Sequence, residues 1–533
     1  MSKITLHKRA KGRQRRSGNA AGFSSFWQSW FRLDRPNKSH HSRSWLHQGP
    51  LLKMTVAFSL PLILVGVFSL LAGPLAGNAI AQAAAAPDYS KISAGDTAFM
   101  LICSALVLFM TPGLAFFYGG LVRSRNVLNT MMMSLVAMAI VGVTWILWGY
   151  SLAFAPTSLN PGTTPAFTAN PIIGSLSWIF LNGVGFEPDP VGYATSIPHQ
   201  VFMIYQMMFA IITVALVSGA IAERMSFKAF FWFIILWSTF VYPPLAHWVW
   251  GKGWLAGIPF LGGKYALDFA GGTVVHISSG VSALVAAWML GPRKDWMKKP
   301  IVPHNVPFVL LGVGMLWFGW FGFNAGSALA IGGDPKVGPL ATVAFVATMV
   351  STSAAGLAWM LAEWIGKGKP TAVGIASGFV AGLVGITPAA GFVDPLSAIA
   401  IGAITSLCCY FAVNYKAKLQ FDDSLDTFPI HGVGGTVGAI LTGIFATASV
   451  NSLGGNGLLR GDFGQFVANI VGVIAAYVTA AVGTFIILKV LSYFMDLRVT
   501  PEVEEEGLDV HEHGESGYGE EISGEMVFAR RSE

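Results

Sequence analysis

The chain has 533 residues, 53% of them hydrophobic and only 11% charged. A soluble domain carries about 25% charged residues, so a soluble globular enzyme is excluded; the length suits ten or more membrane-crossing helices at about 20 residues each. The net charge of +6 is local: residues 1–83 hold 12 of the 33 Lys and Arg and one acid, Asp34, leaving 21 basic and 26 acidic residues elsewhere, which removes any case for a nucleic-acid partner.

The chain opens with a leader over residues 1–83. A basic, polar stretch (3–53) precedes an apolar run (54–73) and the small-residue triplet Ala81-Gln82-Ala83. This is the order of a secretory signal, and cleavage before Ala84 is the expectation. The other reading is a retained signal-anchor helix, since 20 apolar residues can span. Either way, the segment after residue 84 is expected outside the cytoplasm.

Apolar runs then predict eleven helices, near 96–119, 127–153, 198–221, 227–250 and 271–291, then 304–330, 338–364, 371–389, 394–415 and 432–449, and a long last one at 465–492. The segments near 371–389 and 394–415 are the least clearly separated. With an external start, the loops expected in the cytoplasm carry twelve Lys and Arg, and the opposite side five. That asymmetry predicts an N-terminus outside and a C-terminus inside. The expected organisation is therefore the leader (1–83), an all-α transmembrane domain (84–495) and a cytoplasmic tail (496–533). GGTVVH at 271–276 is echoed by HGVGGTV at 431–437. The echo suggests two five-helix repeats of opposite orientation followed by the eleventh helix.

Ionisable groups inside membrane spans are costly and mark function. Six of the eleven His lie in the leader or tail, and His199, His247 and His304 fall near span ends, where interfacial or capping roles are expected. His276 and His431 lie in spans five and ten. If the halves are inverted, the two enter from opposite faces and can meet near the midplane. They could line a polar thread in an apolar path, hold a metal, or form a satisfied core pair; a metal site would need further ligands, and none stands at a suitable spacing. Cys103, Cys408 and Cys409 suggest neither disulfides nor zinc.

Asp268 precedes span five. It reads as a helix cap that also lends negative potential to an external vestibule. Trp250 ends span four on the external side, Phe209 lies 11 residues into span three, and Phe323 and Ser327 share one face of span six. An aromatic face with a hydroxyl could cradle a small cation; ordinary packing is the competing role for each aromatic.

Six segments in order carry a family resemblance: FFYGGLVRSRN (116–126), YQMMFAIITVALVSGAIAERMSF (205–227), AHWVWGKG (246–253), LDFAGGTVVHISSG (267–280), GWFGFNAGSAL (319–329) and DTFPIHGVGGTVG (426–438). With the tail GLDVHEHGESGY (507–518), they make the chain resemble the ammonium transporters of the Amt/Mep/Rh family over nearly all of 90–520, in the bacterial Amt type. The resemblance implies an eleven-span pseudo-twofold fold in a bacterial plasma (inner) membrane, assembled as a homotrimer with one pore per subunit. It implies that Phe209, Trp250 and Ser327 recruit ammonium, supported by Asp268. It implies that Phe209 and Phe323 form a phenyl gate with Gln206 beside it, and that His276 and His431 are twin pore histidines. No cofactor, metal or enzymatic activity is implied. Ammonium or ammonia is the expected substrate, with net electrogenic uptake of ammonium favoured. A PII-type signalling protein is the implied partner of the cytoplasmic face. The competing readings are an ammonium sensor that barely conducts, a neutral-gas channel and an intramembrane enzyme built on the two His.

Overall fold

The computed structural model describes residues 89–518 apart from 160–166, 169, 300, 333–338, 417, 419 and 420. The leader and the last fifteen residues lie outside the described residues. Among the described residues eleven apolar helices form the body: α1 (Ala94–Leu121), α2 (Ser124–Phe154), α3 (His199–Ile221), α4 (Phe227–Phe240, continued as Tyr242–Val249), α5 (Gly272–Leu290), α6 (Val306–Gly326), α7 (Leu340–Lys367), α8 (Ala372–Ile386), α9 (Pro395–Lys416), α10 (Phe428–Phe445) and α11 (Phe463–Phe494). Among the described residues ten stretches are long enough to cross a bilayer; α8, at 15 residues, is the short one of the eleven. A two-residue strand pair, β1 (Ser158–Leu159) with β2 (Phe167–Thr168), is the sole sheet among the described residues.

The helices fall close to the apolar runs, with one correction. The tenth was expected over 432–449 and runs from Phe428 to Phe445. Its start is set by Asp423, whose carboxylate accepts the Thr427 and Phe428 N–H groups at 3.0 and 2.6 Å, with Pro429 in the first turn. Its end comes where the polar, small run Thr447–Asn451 turns back on itself. The four-residue shift places His431 in the first turn of α10.

α3 is buried along almost its whole length. A helix apolar on every side belongs in the middle of a bundle, and α3 carries Gln206 and Phe209 there. α1 packs along α6, and α5 lies against the start of α10. Gly280 makes the second crossing possible, because a Cβ there would overlap the backbone of Gly432. The close crossing carries the residues on either side of it, His276 and His431, to one level.

The loops at the tail end of the bundle are tied by a buried ion network. Arg293 grips Asp422 with two bonds of 2.8 Å and Glu223 with one of 2.7 Å. Arg123 Nε and the Asn126 amide reach the other oxygen of Glu223 at 2.9 and 3.0 Å. Burial raises the Glu223 carboxyl, but the Arg293 and Arg123 guanidiniums outweigh it and bring it from 4.5 down to about 2. A carboxyl depressed on folding stabilises fully above its unfolded pKa, and that contribution drains away as pH falls through the folded value. The tie should be complete above 4.5 and gone by about 2. Glu223→Gln is expected to cost about 3 kcal/mol near neutral pH, because it strips a buried guanidinium of a counter-charge. Thermal unfolding in detergent, near neutral pH and in acid, checks this. An unchanged midpoint at neutral pH, or an unchanged acid slope, would contradict it.

The tail docks on the same loops. A short helix, α12 (Pro501–Glu506), leads into a turn over Asp509–His513. Asp509 accepts the Leu128 and Asn129 N–H groups at 3.0 and 2.8 Å, and Glu512 accepts that of Phe227 at 2.8 Å. The tail thus supplies carboxylates to the N-terminal turns of α2 and α4, where free N–H groups and the helix dipole favour negative charge. Tyr518 reaches His304 at 2.8 Å.

Candidate functional site

A single file of side chains runs through the bundle beside α3. At the end where α1 begins lies a vestibule of about 270 Å³. Gln206, Phe209, Trp250 and Ser327 line it, together with Tyr193 and Phe202. The Trp250 indole stands edge-on to Phe209 at 5.8 Å, and its Nε1 donates to the Asp268 carbonyl at 2.9 Å. Ser327 Oγ bonds the Phe323 carbonyl at 2.9 Å, one helical turn back. Gln206 Oε1 is buried with no hydrogen-bonding partner in the protein. An acceptor in that state costs stability unless something polar occupies the cavity.

Phe209 and Phe323 close the floor. Their rings stack at 4.2 Å and 28°, and both are fully buried. Beneath them lies a cavity of about 10 Å³, the room of one water-sized molecule. Its walls are Leu114, Ile212, Val275, Trp320 and the two His. His276 stacks on Trp320 at 5.3 Å and 20°, and on His431 at 5.3 Å and 26°. The two Nδ1 atoms are 3.2 Å apart. One Nδ1–H must donate to the other Nδ1, so the imidazoles hold opposite tautomers. The pair therefore offers one Nε2–H donor and one Nε2 acceptor, and His276 Nε2 has no other protein partner. A third cavity, about 40 Å³, continues below His431 past Tyr118 and Thr427 to Asp426.

Each His is held in an irregular turn. The first turns of α5 and α10, Gly272–Ile277 and Phe428–Val433, are wound wider than an α-helix. Such wide turns recur at functional positions. Asp268 anchors the first of them. Its carboxylate accepts the N–H groups of Gly271, Gly272, Thr273 and Val274 at 2.7, 2.6, 2.8 and 3.2 Å, and the Thr273 hydroxyl as well. Gly271 has φ 118°, a conformation open to glycine, which turns the chain so that these N–H groups converge.

Phe209, Trp250, Ser327 and Gln206 share the vestibule, Phe209 and Phe323 share the floor, and His276 and His431 share the cavity beneath. Asp268 does not line the vestibule; it faces the backbone behind Trp250. The remaining buried His lie elsewhere: His199 bonds the Tyr150 hydroxyl at 2.6 Å, and His247 bonds the Ala153 carbonyl at 2.8 Å. Among the described residues no group of three His, Cys, Asp or Glu is placed to hold a metal ion. Sequence reasoning missed Trp320, which lies one turn from Phe323 on the same face of α6 and could have been found by that spacing. It also missed Tyr205, whose hydroxyl bonds the Phe323 carbonyl at 2.8 Å and Ser327 Oγ at 3.3 Å. Tyr205 had no signal beyond its place one turn before Phe209.

Residues 98–518 match the model of the Ammonium Transporter Family. The chain belongs to that family. This family member is 50% identical over 425 residues to an ammonium transporter of Bacillus subtilis, covering 80% of the chain and 98% of the relative. Its fold superimposes on the crystal structure of Saccharomyces cerevisiae Mep2 with a TM-score of 0.70 and 37% identity, over 81% of the chain and 93% of Mep2. A solved sensor Amt protein matches with a TM-score of 0.67 and 29% identity, over 79% of the chain and 98% of its own. The family member is a multi-pass membrane protein with the Amt/Mep fold.

Proposed function

We propose that this family member takes up ammonium, binding the cation in the Phe209–Trp250–Ser327 vestibule and passing it as ammonia between the gate and the twin histidines. The observation that carries the reading is the change along the file from an aromatic, partly polar chamber to a narrow, apolar-walled cavity with two imidazoles. Trp250 and Phe209 attract a cation through their ring faces, by about 0.5–2 kcal/mol each. Ser327 and Gln206 offer oxygen acceptors that an ammonium N–H can use. Below the stacked phenyls a bare cation loses its water and finds no counter-charge, which costs several kcal/mol or more. Potassium cannot shed its charge. Ammonium can release its proton to solvent water at the open vestibule and cross as neutral ammonia, which both donates and accepts hydrogen bonds at the two Nε2 atoms. If the proton follows by a separate route, transport is electrogenic.

Asp268 supports this arrangement by holding the loop on which Trp250 Nε1 rests. Positive charge in the tail-side loops supports a cytoplasmic tail and an external vestibule. The same reading takes the leader as a cleaved signal, the host membrane as the bacterial inner membrane and the assembly as a homotrimer. It also takes the tail-side face as a docking surface for a PII-type protein. The likeness to a sensor Amt keeps one second reading in play, a member that binds ammonium and conducts little.

The test is ammonium-triggered current in proteoliposomes of the purified protein. A saturable current with ammonium and none with potassium is the expected result. No current, with ammonium still bound, would overturn transport in favour of sensing. No current with an ammonia flux seen by an internal pH dye would overturn the electrogenic part.

A further inference from the structure

We propose that Lys252, at the rim of the vestibule, sets how strongly the site holds its cation, acting as a fixed positive charge that weakens binding. The inference rests on the recruitment reading of the vestibule above and adds a residue to it. Lys252 follows Trp250 by two positions. It lies in the left-handed region, φ 62°, between Gly251 and Gly253. Neither neighbour has room for a side chain, since a Cβ at Gly251 would overlap the Ala153 carbonyl and one at Gly253 would lie 2.7 Å from Trp248 Cα. A lysine kept in a backbone conformation that favours glycine, on a segment that cannot shift, has its direction imposed on it.

That direction is toward the vestibule wall. Lys252 Nζ donates to the Val191 carbonyl at 2.6 Å and stands 5.4 Å from the centre of the Tyr193 ring. Tyr193 lines the vestibule beside Phe209 and Trp250. Its ring stacks on Phe202 at 5.3 Å, and its hydroxyl bonds the Phe154 carbonyl at 2.9 Å. The ammonium head of Lys252 therefore occupies the kind of place on an aromatic ring that a transported cation would seek, one side chain away from the chamber.

Asp189 is a carboxylate whose charge reaches Lys252; it is buried under the same loop and accepts the Tyr193 and Ala194 N–H groups at 2.9 and 2.7 Å. Lys252 offsets the field of Asp189. Removing the lysine takes away its repulsion and leaves the Asp189 field unopposed, a single change that makes the vestibule more attractive to cations. Two unit charges near a wet protein surface interact by enough to change binding by about threefold, and charge reversal squares that to about ninefold. The field is exerted equally on any monovalent cation, so Lys252 tunes affinity and leaves selectivity alone.

The experiment measures the ammonium concentration giving half-maximal current in proteoliposomes, for wild type, Lys252→Met, Lys252→Glu and Lys252→Arg. It is run at about 0.01 M and about 1 M of an impermeant salt, where charge is felt over about 30 Å and about 3 Å. At low salt the Met variant should need about threefold less ammonium and the Glu variant about ninefold less, with Arg like wild type; at high salt all four should converge. Equal half-saturation in all four at low salt overturns the proposal. So does a shift of the same size at both salts, which would make Lys252 only a tie for the 189–193 loop. Absence of current in wild type fails the transport reading itself and takes this inference with it, whereas wild-type current with unresponsive variants fails this inference alone.

Discussion

Replacing His276 and His431 together with leucine is expected to cut the ammonium-triggered current by about a hundredfold while leaving the fold in place. Leucine fills much of the volume of imidazole, so the cavity stays closed and apolar. What disappears is the Nε2 donor and acceptor that a small polar solute needs between the stacked phenyls and the third cavity. Each hydrogen bond lost in an apolar site costs about 1–3 kcal/mol, and two together raise the barrier by about 2.7 kcal/mol or more, a hundredfold in rate. Alanine at both positions has a different expected outcome. It empties the volume of two rings at a level only about 10 Å³ in extent, which gives water a foothold. A wet path screens a cation, so the Ala pair should begin to pass potassium. Current recordings with each cation, on protein of unchanged thermal midpoint, check both. A leucine pair that conducts ammonium as wild type does would remove the histidines from the path.

The helices were legible because each apolar run is long and bounded by charge or glycine. The one misplaced start, α10, shows what such runs omit. Phe428 and Ile430 are as apolar as anything later in the span, but the helix begins there because Asp423 caps it, and a cap acts through geometry. The meeting of His276 with His431 could be anticipated from an inverted repeat alone. That their rings stack with offset Nδ1 atoms, and that Trp320 backs them, depends on the close crossing at Gly280, which no single-chain periodicity reveals.

Apart from its family resemblance at 507–518, the tail carried no such signal. Its acids read equally well as a solvated end, because Asp509 and Asn129 are 380 residues apart in sequence and only tertiary structure brings them within 2.8 Å. Lys252 was counted as one external charge among five. Its bearing on the vestibule arises from a left-handed backbone and from a loop that folds back to bring Tyr193 beneath it. Apolar content therefore announced the scaffold, and residue type announced the axis of the file. The supporting contacts stayed hidden because they join loops far apart in the chain.

Asp268→Ala should lower the yield of folded protein and its thermal midpoint more than any other single substitution at the site. The carboxylate is buried and accepts four backbone N–H groups and one hydroxyl. Alanine accepts none. The N–H groups opening α5 would then be orphaned where water cannot reach all of them, at about 1–3 kcal/mol for each left unmet. Even two or three such losses are a large share of the 5–15 kcal/mol or so that holds a typical fold together. Asp268→Asn separates charge from shape: it keeps one acceptor oxygen and sets an NH₂ group against N–H donors, so its midpoint should fall between aspartate and alanine. Trp250 would move with the loop, since its Nε1 rests on the Asp268 carbonyl, and half-saturation should rise along the same series. The decisive comparison is transport per folded molecule against thermal midpoint. If Asp268→Ala folds with a wild-type midpoint and yield and yet fails to transport, the carboxylate acts on the cation through its field, and its place as the anchor of the α5 turn is secondary.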